Sequence, residues 1–201
     1  QIKMVKIVRE TIGDNIDLGL EIHRNLTLEA AILFAQELTS YKILYFEDPI
    51  APESIEALAY LAQQINLPIA TGERFFNIHQ FKELIDQKIV SLIRPDLSLA
   101  GGFTHCKKIA GLAEASFVGI FPHLMGSPVN NAAFTQFAAS IPNYTLMESN
   151  THDMALNRIV DNPLIPEDGY RIVPDIPGIG VEINEEILSE FAHIPKKILG
   201  S

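Results

Sequence analysis

A polar residue follows each of six short apolar runs, and this regular phase constrains the fold more than any other feature of the sequence. The residues are Glu21, Glu47, Glu73, Asp96, His123 and Glu148. They recur at roughly 25-residue intervals, long enough for one strand and one returning helix. The runs are rich in Ile, Leu, Val and Phe, as in strands buried on both faces of a parallel sheet. The chain is therefore predicted to be an α/β protein.

Amphipathic stretches separate the apolar runs and predict five helices, the first of which begins after Thr27, its predicted N-cap. The six predicted strands are "IDLGLEI", "KILYFED", "LPIATGE", "IVSLIRPD", "VGIFPH" and "YTLMES". The remaining sequence is rich in Pro and Gly, with a short helix predicted near Glu185 to Phe191. We therefore predict a partial (β/α) barrel domain over residues 1–150 and an extended tail over residues 151–201.

The polar strand ends are expected to converge, because the carboxyl ends of the strands of a closed parallel barrel meet at one mouth, where active sites lie. A single acidic residue after a strand is usually a solvated loop residue or a helix cap, and Asp48 is interpreted that way. Six such residues at regular intervals, each after a predicted strand, favour a shared functional site. Carboxylates on three adjacent strands repel one another unless a cation lies between them, and such oxygen ligands favour Mg²⁺. Zn²⁺ fits less well, since Cys106 falls within a predicted helix.

Two of the six histidines lie at strand ends. Glu21 and His23 are two residues apart, so alternation along a strand predicts that both side chains point to the same face. His123 ends the fifth strand, where Asp96 of the neighbouring strand is positioned to hydrogen-bond its imidazole and fix the tautomer. The other histidines, interpreted as surface or packing residues, are His79, His105, His152 and His193.

The charge of the chain narrows the class of partner. A formal net charge of −10 at pH 7 argues against nucleic acid or an anionic membrane as a partner. The single cysteine allows no internal disulfide, which fits a reducing compartment, and no apolar run is long enough to cross a bilayer. We therefore expect a cytoplasmic protein that acts on a small molecule.

Several stretches carry a family resemblance that runs from about Val8 to Ile187. They are "EIHRNLT", "LYFEDPIAPES", "LPIATGERF", "IRPDLSLAGGFTHCKKIAGLAEA", "FPHLMGSP" and "DGYRIVPDIPGIGVEI". Together they resemble the mandelate racemase and muconate lactonizing branch of the enolase superfamily, and within it the acid-sugar dehydratases of galactonate- and gluconate-dehydratase type. The resemblance implies a TIM-type (β/α) barrel of which this chain holds about six βα units, strands three to eight. The resemblance also implies that the N-terminal capping domain is absent from these residues, and that the tail packs back on the barrel or on that domain.

The resemblance also implies roles for individual residues. The positions that match the Mg²⁺ ligands are Glu21, Glu47 and Glu73. His123 and Asp96 match a catalytic His–Asp dyad, and His23 matches a second acid/base group. Glu148 matches an acid that hydrogen-bonds the substrate carboxylate, and Arg24 and Asn25 lie on a loop expected to contact substrate.

Three positions depart from the family pattern. The family usually has Asp where this chain has Glu21, and Gly-Arg where it has Arg24 and Asn25, while "HLMGSP" replaces an "HCPLGP"-like loop. Because six strands do not close an eight-stranded barrel, we expect either the C-terminal part of a longer chain or a short protein whose edge another subunit covers. The resemblance also implies a homo-oligomer.

The leading functional prediction is a Mg²⁺-dependent dehydratase of an aldonic or aldaric sugar acid. A base would remove the proton α to the carboxylate, the metal would stabilise the enediolate, and loss of the β-hydroxyl would give a 2-keto-3-deoxy acid. His123 is the predicted base and His23 the predicted acid, although the roles could be exchanged or His123 could fill both. The alternatives are a racemase or epimerase of a 2-hydroxy acid at the same site, and an inactive fragment or non-catalytic homologue that acts as an assembly module.

Overall fold

Five strands form one parallel sheet. The computed structural model of the chain describes residues 1–149 and 155–191. The strands are β1 (Leu18–Glu21), β2 (Ile43–Glu47), β3 (Ile69–Thr71), β4 (Leu92–Ile93) and β5 (Gly119–Ile120). Each strand pairs in parallel with the next one along the chain. The α/β prediction of successive βα units is therefore confirmed.

The sixth predicted strand, "YTLMES", is present only as a single bridge. Tyr144 pairs in parallel with Ile120, whose backbone N–H donates to Asn143 O at 2.8 Å and whose carbonyl accepts from the Thr145 N–H at 2.9 Å. The segment thus continues the order of the sheet. It has one neighbouring strand and Tyr144 is largely exposed, so little packing favours extending the pairing beyond the bridge.

One helix follows each of the first four strands. They are α2 (Leu28–Leu38), α3 (Ile55–Gln64), α4 (Ile78–Asp86) and α5 (Gly102–Ala115). The predicted cap at Thr27 is confirmed, since its side chain accepts the Ala30 N–H, and Ser54 and Asn77 cap α3 and α4 in the same way. No helix in residues 1–149 and 155–191 has the length and apolar character needed to cross a membrane.

Helix α1 (Ile2–Ile12) precedes the sheet and was not predicted from the sequence. Its buried residues are Val5 and Arg9, four residues apart and therefore on one face. The Arg9 side chain donates to four backbone carbonyls at 2.7 to 2.9 Å. Those carbonyls belong to Tyr41, Gly13, Ile16 and Lys42. Arg9 therefore fastens α1 to the segments that lead into β1 and β2.

The chain divides into two compact units. The first comprises Gln1–His123 and Ser140–Glu148 and contains the sheet with α1 to α5. The second comprises Leu124–Ala139 and Ser149–Ser201. Its helices are α6 (Pro128–Ala139), a 3₁₀ turn at Leu156–Ile159 and α7 (Glu185–Glu190).

Backbone pairing orders the described part of the tail. Val160 forms an antiparallel bridge with Ile183, and the Asn184 side chain caps α7 by accepting the Ile187 N–H at 2.9 Å. The predicted short helix is confirmed as α7. The predicted domain boundary between residues 150 and 151 stays a prediction, because residues 150–154 lie outside the described residues, as do His152 and His193.

Replacing Arg9 is expected to destabilise the first unit. Arg9→Ala leaves four carbonyls without their charged donor, so the free energy of unfolding should fall by about 2 kcal/mol or more. Denaturant unfolding of the purified protein measures this. Lys6→Ala on the exposed side of α1 is the control, with an expected change under about 0.5 kcal/mol. Equal effects of the two variants would contradict the role given to Arg9.

Cys106 is expected to be unreactive while the chain is folded. It is fully buried in α5, and burial, with a smaller contribution from Asp96, raises the pKa of its thiol to about 12. The folded protein should therefore hold the neutral thiol at pH 8, where the thiolate is the reactive form. A thiol reagent at pH 8 should label the folded protein far more slowly than the denaturant-unfolded protein. Equal labelling rates in the folded and the unfolded protein would contradict the buried position of the Cys106 thiol.

Candidate active site

Three glutamates meet at the carboxyl ends of the first three strands. Glu21 ends β1 and lies beside Glu47, the last residue of β2, while Glu73 follows β3 by two residues. One carboxylate oxygen from each of the three lies within 4.8 Å of the others. The side chain of Glu21, at the position where the family resemblance implies Asp, therefore reaches the group. We call these three residues the glutamate cluster.

Burial raises the carboxyl pKa of two of the three glutamates, Glu47 and Glu21. Glu47 is 2% exposed, and its burial raises the pKa of the carboxyl to about 9, against the lowering effect of Arg94 and with a further rise from Glu21. Burial also raises the pKa of Glu21, although the His23 backbone N–H donates to its carboxylate. A divalent cation would reverse this by favouring the ionised carboxylates. The residues thus fit a hard cation such as Mg²⁺, because every donor in the cluster is oxygen.

Arg94, just past β4, is a buried cation that the sequence analysis missed. Its Nε contacts Glu47 Oε1, and its Nη2 lies 2.7 Å from Glu148 Oε2. Its guanidinium carbon lies 4.0 Å from the centroid of the Phe121 ring. The Arg94 side chain is only 2% exposed and the Glu47 side chain 3%, so this contact is shielded from water, whereas Glu148 is 33% exposed and its contact is partly solvated. An Arg inside the apolar run "SLIRPD" was the available signal, since a buried charge requires partners.

Asp96 and His123 form the hydrogen bond that the sequence predicted. His123 Nδ1 lies 2.8 Å from Asp96 Oδ2, and Asp96 Oδ1 accepts the Ser98 N–H at 2.7 Å. Burial lowers the pKa of His123, but the hydrogen bond to Asp96 and the charges of Glu73 and other carboxylates outweigh it, so that the pKa is raised. The other ring nitrogen, Nε2, lies 3.4 Å from Glu73 Oε2. Asp96 therefore orients His123 with Nε2 towards the glutamate cluster.

The chain turns sharply after Glu21, so the premise of a strand that continues to His23 was wrong. Strand β1 ends at Glu21, and His23 and Arg24 have φ values of 54° and 65°, in the left-handed region. Alternation along a strand therefore does not apply to His23, whose backbone N–H, rather than its imidazole, contacts Glu21. The Asn25 side chain closes the turn by donating to Ile22 O at 3.0 Å. His23 and Asn25 are both exposed on this turn.

Arg24 and Asp48 form a second charged group beside the cluster. Arg24 Nη1 lies 2.5 Å from Asp48 Oδ2 and also contacts Glu73 Oε1. Asp48 is 2% exposed, and its Oδ1 accepts the Thr71 hydroxyl at 2.5 Å. The interpretation of Asp48 as a solvated loop or cap residue was therefore wrong, because its carboxylate is buried between a hydroxyl and a guanidinium.

The structure thus connects most of the predicted site residues. The glutamate cluster joins His123 and Asp96 through Glu73, and it joins Glu148 through Arg94. Arg24 also reaches the cluster, as an ion-pair partner of Glu73. His23 and Asn25 lie on the adjoining turn. The catalytic and substrate-binding roles of these residues stay predictions.

Comparison with known proteins identifies the family. The model of the family described as "Enolase C-terminal domain-like" matches residues 1–187. The chain therefore belongs to this family, which confirms the resemblance to the mandelate racemase and muconate lactonizing proteins.

The named relatives are D-galactonate dehydratases and members of that family. A D-galactonate dehydratase family member of Musicola paradisiaca is 35% identical over 191 residues, which cover 94% of this chain and 46% of the relative. A D-galactonate dehydratase of Ralstonia nicotianae is 35% identical over 190 residues, covering 91% of this chain and 50% of the relative. The chain thus spans about half the length of these relatives.

Solved structures share the fold over nearly the whole chain. A mandelate racemase/muconate lactonizing enzyme from Jannaschia sp. CCS1 has a TM-score of 0.90 and 30% identity, covering 96% of this chain and 50% of that one. An enolase from Agrobacterium radiobacter, bound to Na and L-malate, has a TM-score of 0.88 and 31% identity. The match covers 100% of this chain and 56% of that one.

Replacing Arg94 is expected to destabilise the site strongly. Arg94→Ala removes the buried partner of Glu47 and Glu148 and its stacking on Phe121, so the free energy of unfolding should fall by about 3 kcal/mol or more. The measurement is denaturant unfolding in the presence of a chelator. Arg74→Ala, at an exposed position beside Glu73, is the control and should change the value by less than about 0.5 kcal/mol. A wild-type stability for Arg94→Ala would refute the assigned ion pairs.

Proposed function

We propose that the protein is a Mg²⁺-dependent dehydratase that converts an aldonic or aldaric sugar acid into a 2-keto-3-deoxy acid. One observation carries the proposal. Three carboxylate oxygens within 4.8 Å of one another lie beside an imidazole whose Nε2 is directed at them and whose Nδ1 is held by Asp96. A group of oxygen ligands next to an oriented base suits removal of a proton α to a carboxylate.

The glutamate cluster would hold the metal. Glu21, Glu47 and Glu73 supply the ligand oxygens, and bound Mg²⁺ would contribute positive charge where negative charge develops on the substrate carboxylate as the α-proton leaves. Arg94 would hold Glu47 in position through the contact of its Nε with Glu47 Oε1.

His123 is the proposed base, because its orientation is fixed by Asp96 and its Nε2 faces the cluster. The proton would pass from the α-carbon to Nε2, and the hydrogen bond from Nδ1 to Asp96 would stabilise the resulting imidazolium. Nε2 contacts Glu73 Oε2 at 3.4 Å, so the cation formed on the ring would also lie near a carboxylate.

His23 is the proposed acid for departure of the β-hydroxyl. It lies on the turn next to Glu21, and its exposed position leaves the imidazole accessible to a substrate. Glu148, anchored by Arg94, is the proposed partner of the substrate carboxylate, and Arg24 and Asn25 are the proposed substrate contacts on the turn. The names of the dehydratase relatives support a sugar acid as the substrate. A cytoplasmic location and assembly into a homo-oligomer belong to the same proposal.

A substrate screen tests the function. The purified protein is incubated with a library of aldonic and aldaric acids and Mg²⁺, and 2-keto-3-deoxy products are measured. We expect product from at least one acid, no product in EDTA and recovery on adding Mg²⁺. In deuterated water, exchange of the α-proton without loss of hydroxyl would identify a racemase or epimerase instead. The absence of both reactions with every acid would contradict an enzymatic role.

Replacing His123 tests the proposed base. His123→Asn keeps a polar side chain but removes the group that accepts the α-proton, so both α-proton exchange and dehydration should fall by at least about 100-fold. The control is His79→Asn on α4, an exposed histidine outside the site, which should retain wild-type rates. Full dehydration and α-proton exchange by His123→Asn would overturn the assignment.

A further inference from the structure

The guanidinium of Arg24 engages one of the candidate metal ligands. Its Nη1 contacts Glu73 Oε1, and the Arg24 side chain is only 16% exposed. The second oxygen of Glu73, Oε2, lies 3.4 Å from His123 Nε2. Both oxygens of Glu73 therefore already have a partner, and a metal ion that binds Glu73 must compete with Arg24 or with His123.

Asp48 gives Arg24 an anchor outside the glutamate cluster. Arg24 Nη1 lies 2.5 Å from Asp48 Oδ2, and the Arg24 backbone N–H donates to the Asp48 carbonyl at 2.7 Å. The Thr71 hydroxyl holds the other oxygen of Asp48. Arg24 can therefore release Glu73 while its charge stays paired with Asp48.

We propose that Arg24 is an internal counter-ion that competes with the divalent cation for Glu73, so that it lowers the metal affinity of the site and stabilises the metal-free protein. This inference rests on the metal site of the proposed function. The two cations repel each other, and they cannot both take the same position on Glu73 Oε1. By linkage, the free energy that the contact gives to the metal-free protein is subtracted from metal binding.

The backbone at Arg24 provides a mild way to remove the guanidinium. Its φ of 65° is in the left-handed region, which glycine adopts without steric cost. Arg24→Gly therefore removes the side chain at a position whose backbone favours glycine. Arg24→Gln is the second variant, which keeps a polar side chain of similar reach but removes the charge.

The test is direct binding of Mn²⁺, which accepts the same octahedral oxygen coordination as Mg²⁺ and can be followed by the paramagnetic resonance signal of the free ion. Arg24→Gly and Arg24→Gln should each bind Mn²⁺ at least about fivefold more tightly than the wild type. Arg74→Gln removes the same charge next to Glu73 from an exposed side chain, so its dissociation constant should change by less than about twofold.

Thermal unfolding supplies a second readout. In EDTA the Arg24→Gln variant should melt at a lower temperature than the wild type. Saturating Mn²⁺ should then raise the melting temperature of the variant by more than it raises that of the wild type. Wild-type or weaker Mn²⁺ affinity in both Arg24 variants would overturn the role of Arg24 while leaving the metal site intact. An equal gain in Arg74→Gln would also overturn it, because a general effect of charge would then explain the result. Failure of every protein, wild type included, to bind Mn²⁺ would overturn the metal site and with it this inference.

Discussion

Repulsion between carboxylates is the constraint on which the rest of the site depends. The parallel register sets Glu21 beside Glu47, and Glu73 lies two residues past the third strand, so that one carboxylate oxygen from each lies within 4.8 Å of the others. Like charges at this distance are unfavourable, most of all where burial weakens solvation. Burial is the largest cause that raises the pKa of Glu47 to about 9, and the neighbouring carboxylates Glu21 and Asp48 add a smaller rise. A sheet that assembles such a group requires cations close to it.

The chain supplies two such cations, Arg94 at Glu47 and Arg24 at Glu73. Arg94 is fully buried, pairs with Glu47 and Glu148 and stacks on Phe121, so it is a fixed part of the packed interior. Arg24 comes from a left-handed turn, is partly exposed and has an alternative partner in Asp48. We infer that the first cation positions ligands whereas the second is exchangeable. A metal ion then completes the neutralisation that the two arginines begin.

Local sequence patterns predicted the strands, the helix cap and the strand-end residues. The features that were not predicted depend on contacts between residues far apart in the chain. The strand ends and the cap at Thr27 followed from sequence because they depend on residues close together in the chain. The hydrogen bond between Asp96 and His123 was predicted because the two residues occupy the same position after neighbouring strands. Arg94 and Asp48 were missed, since their burial depends on side chains from other strands. The alternation argument assumed that the strand continues to His23, but the strand ends at Glu21 and His23 and Arg24 adopt the left-handed conformation.

Anomalous diffraction from crystals of the protein soaked in Mn²⁺ tests the central claim most directly, because it locates the cation without reference to activity. The proposed site requires one strong peak bonded to carboxylate oxygens of Glu21, Glu47 and Glu73, at roughly 2.0–2.3 Å from each. His123 Nε2 should face the open coordination positions. No peak at saturating Mn²⁺, or a peak bound elsewhere while the three glutamates stay unliganded, would contradict a metal-dependent active site in this family member.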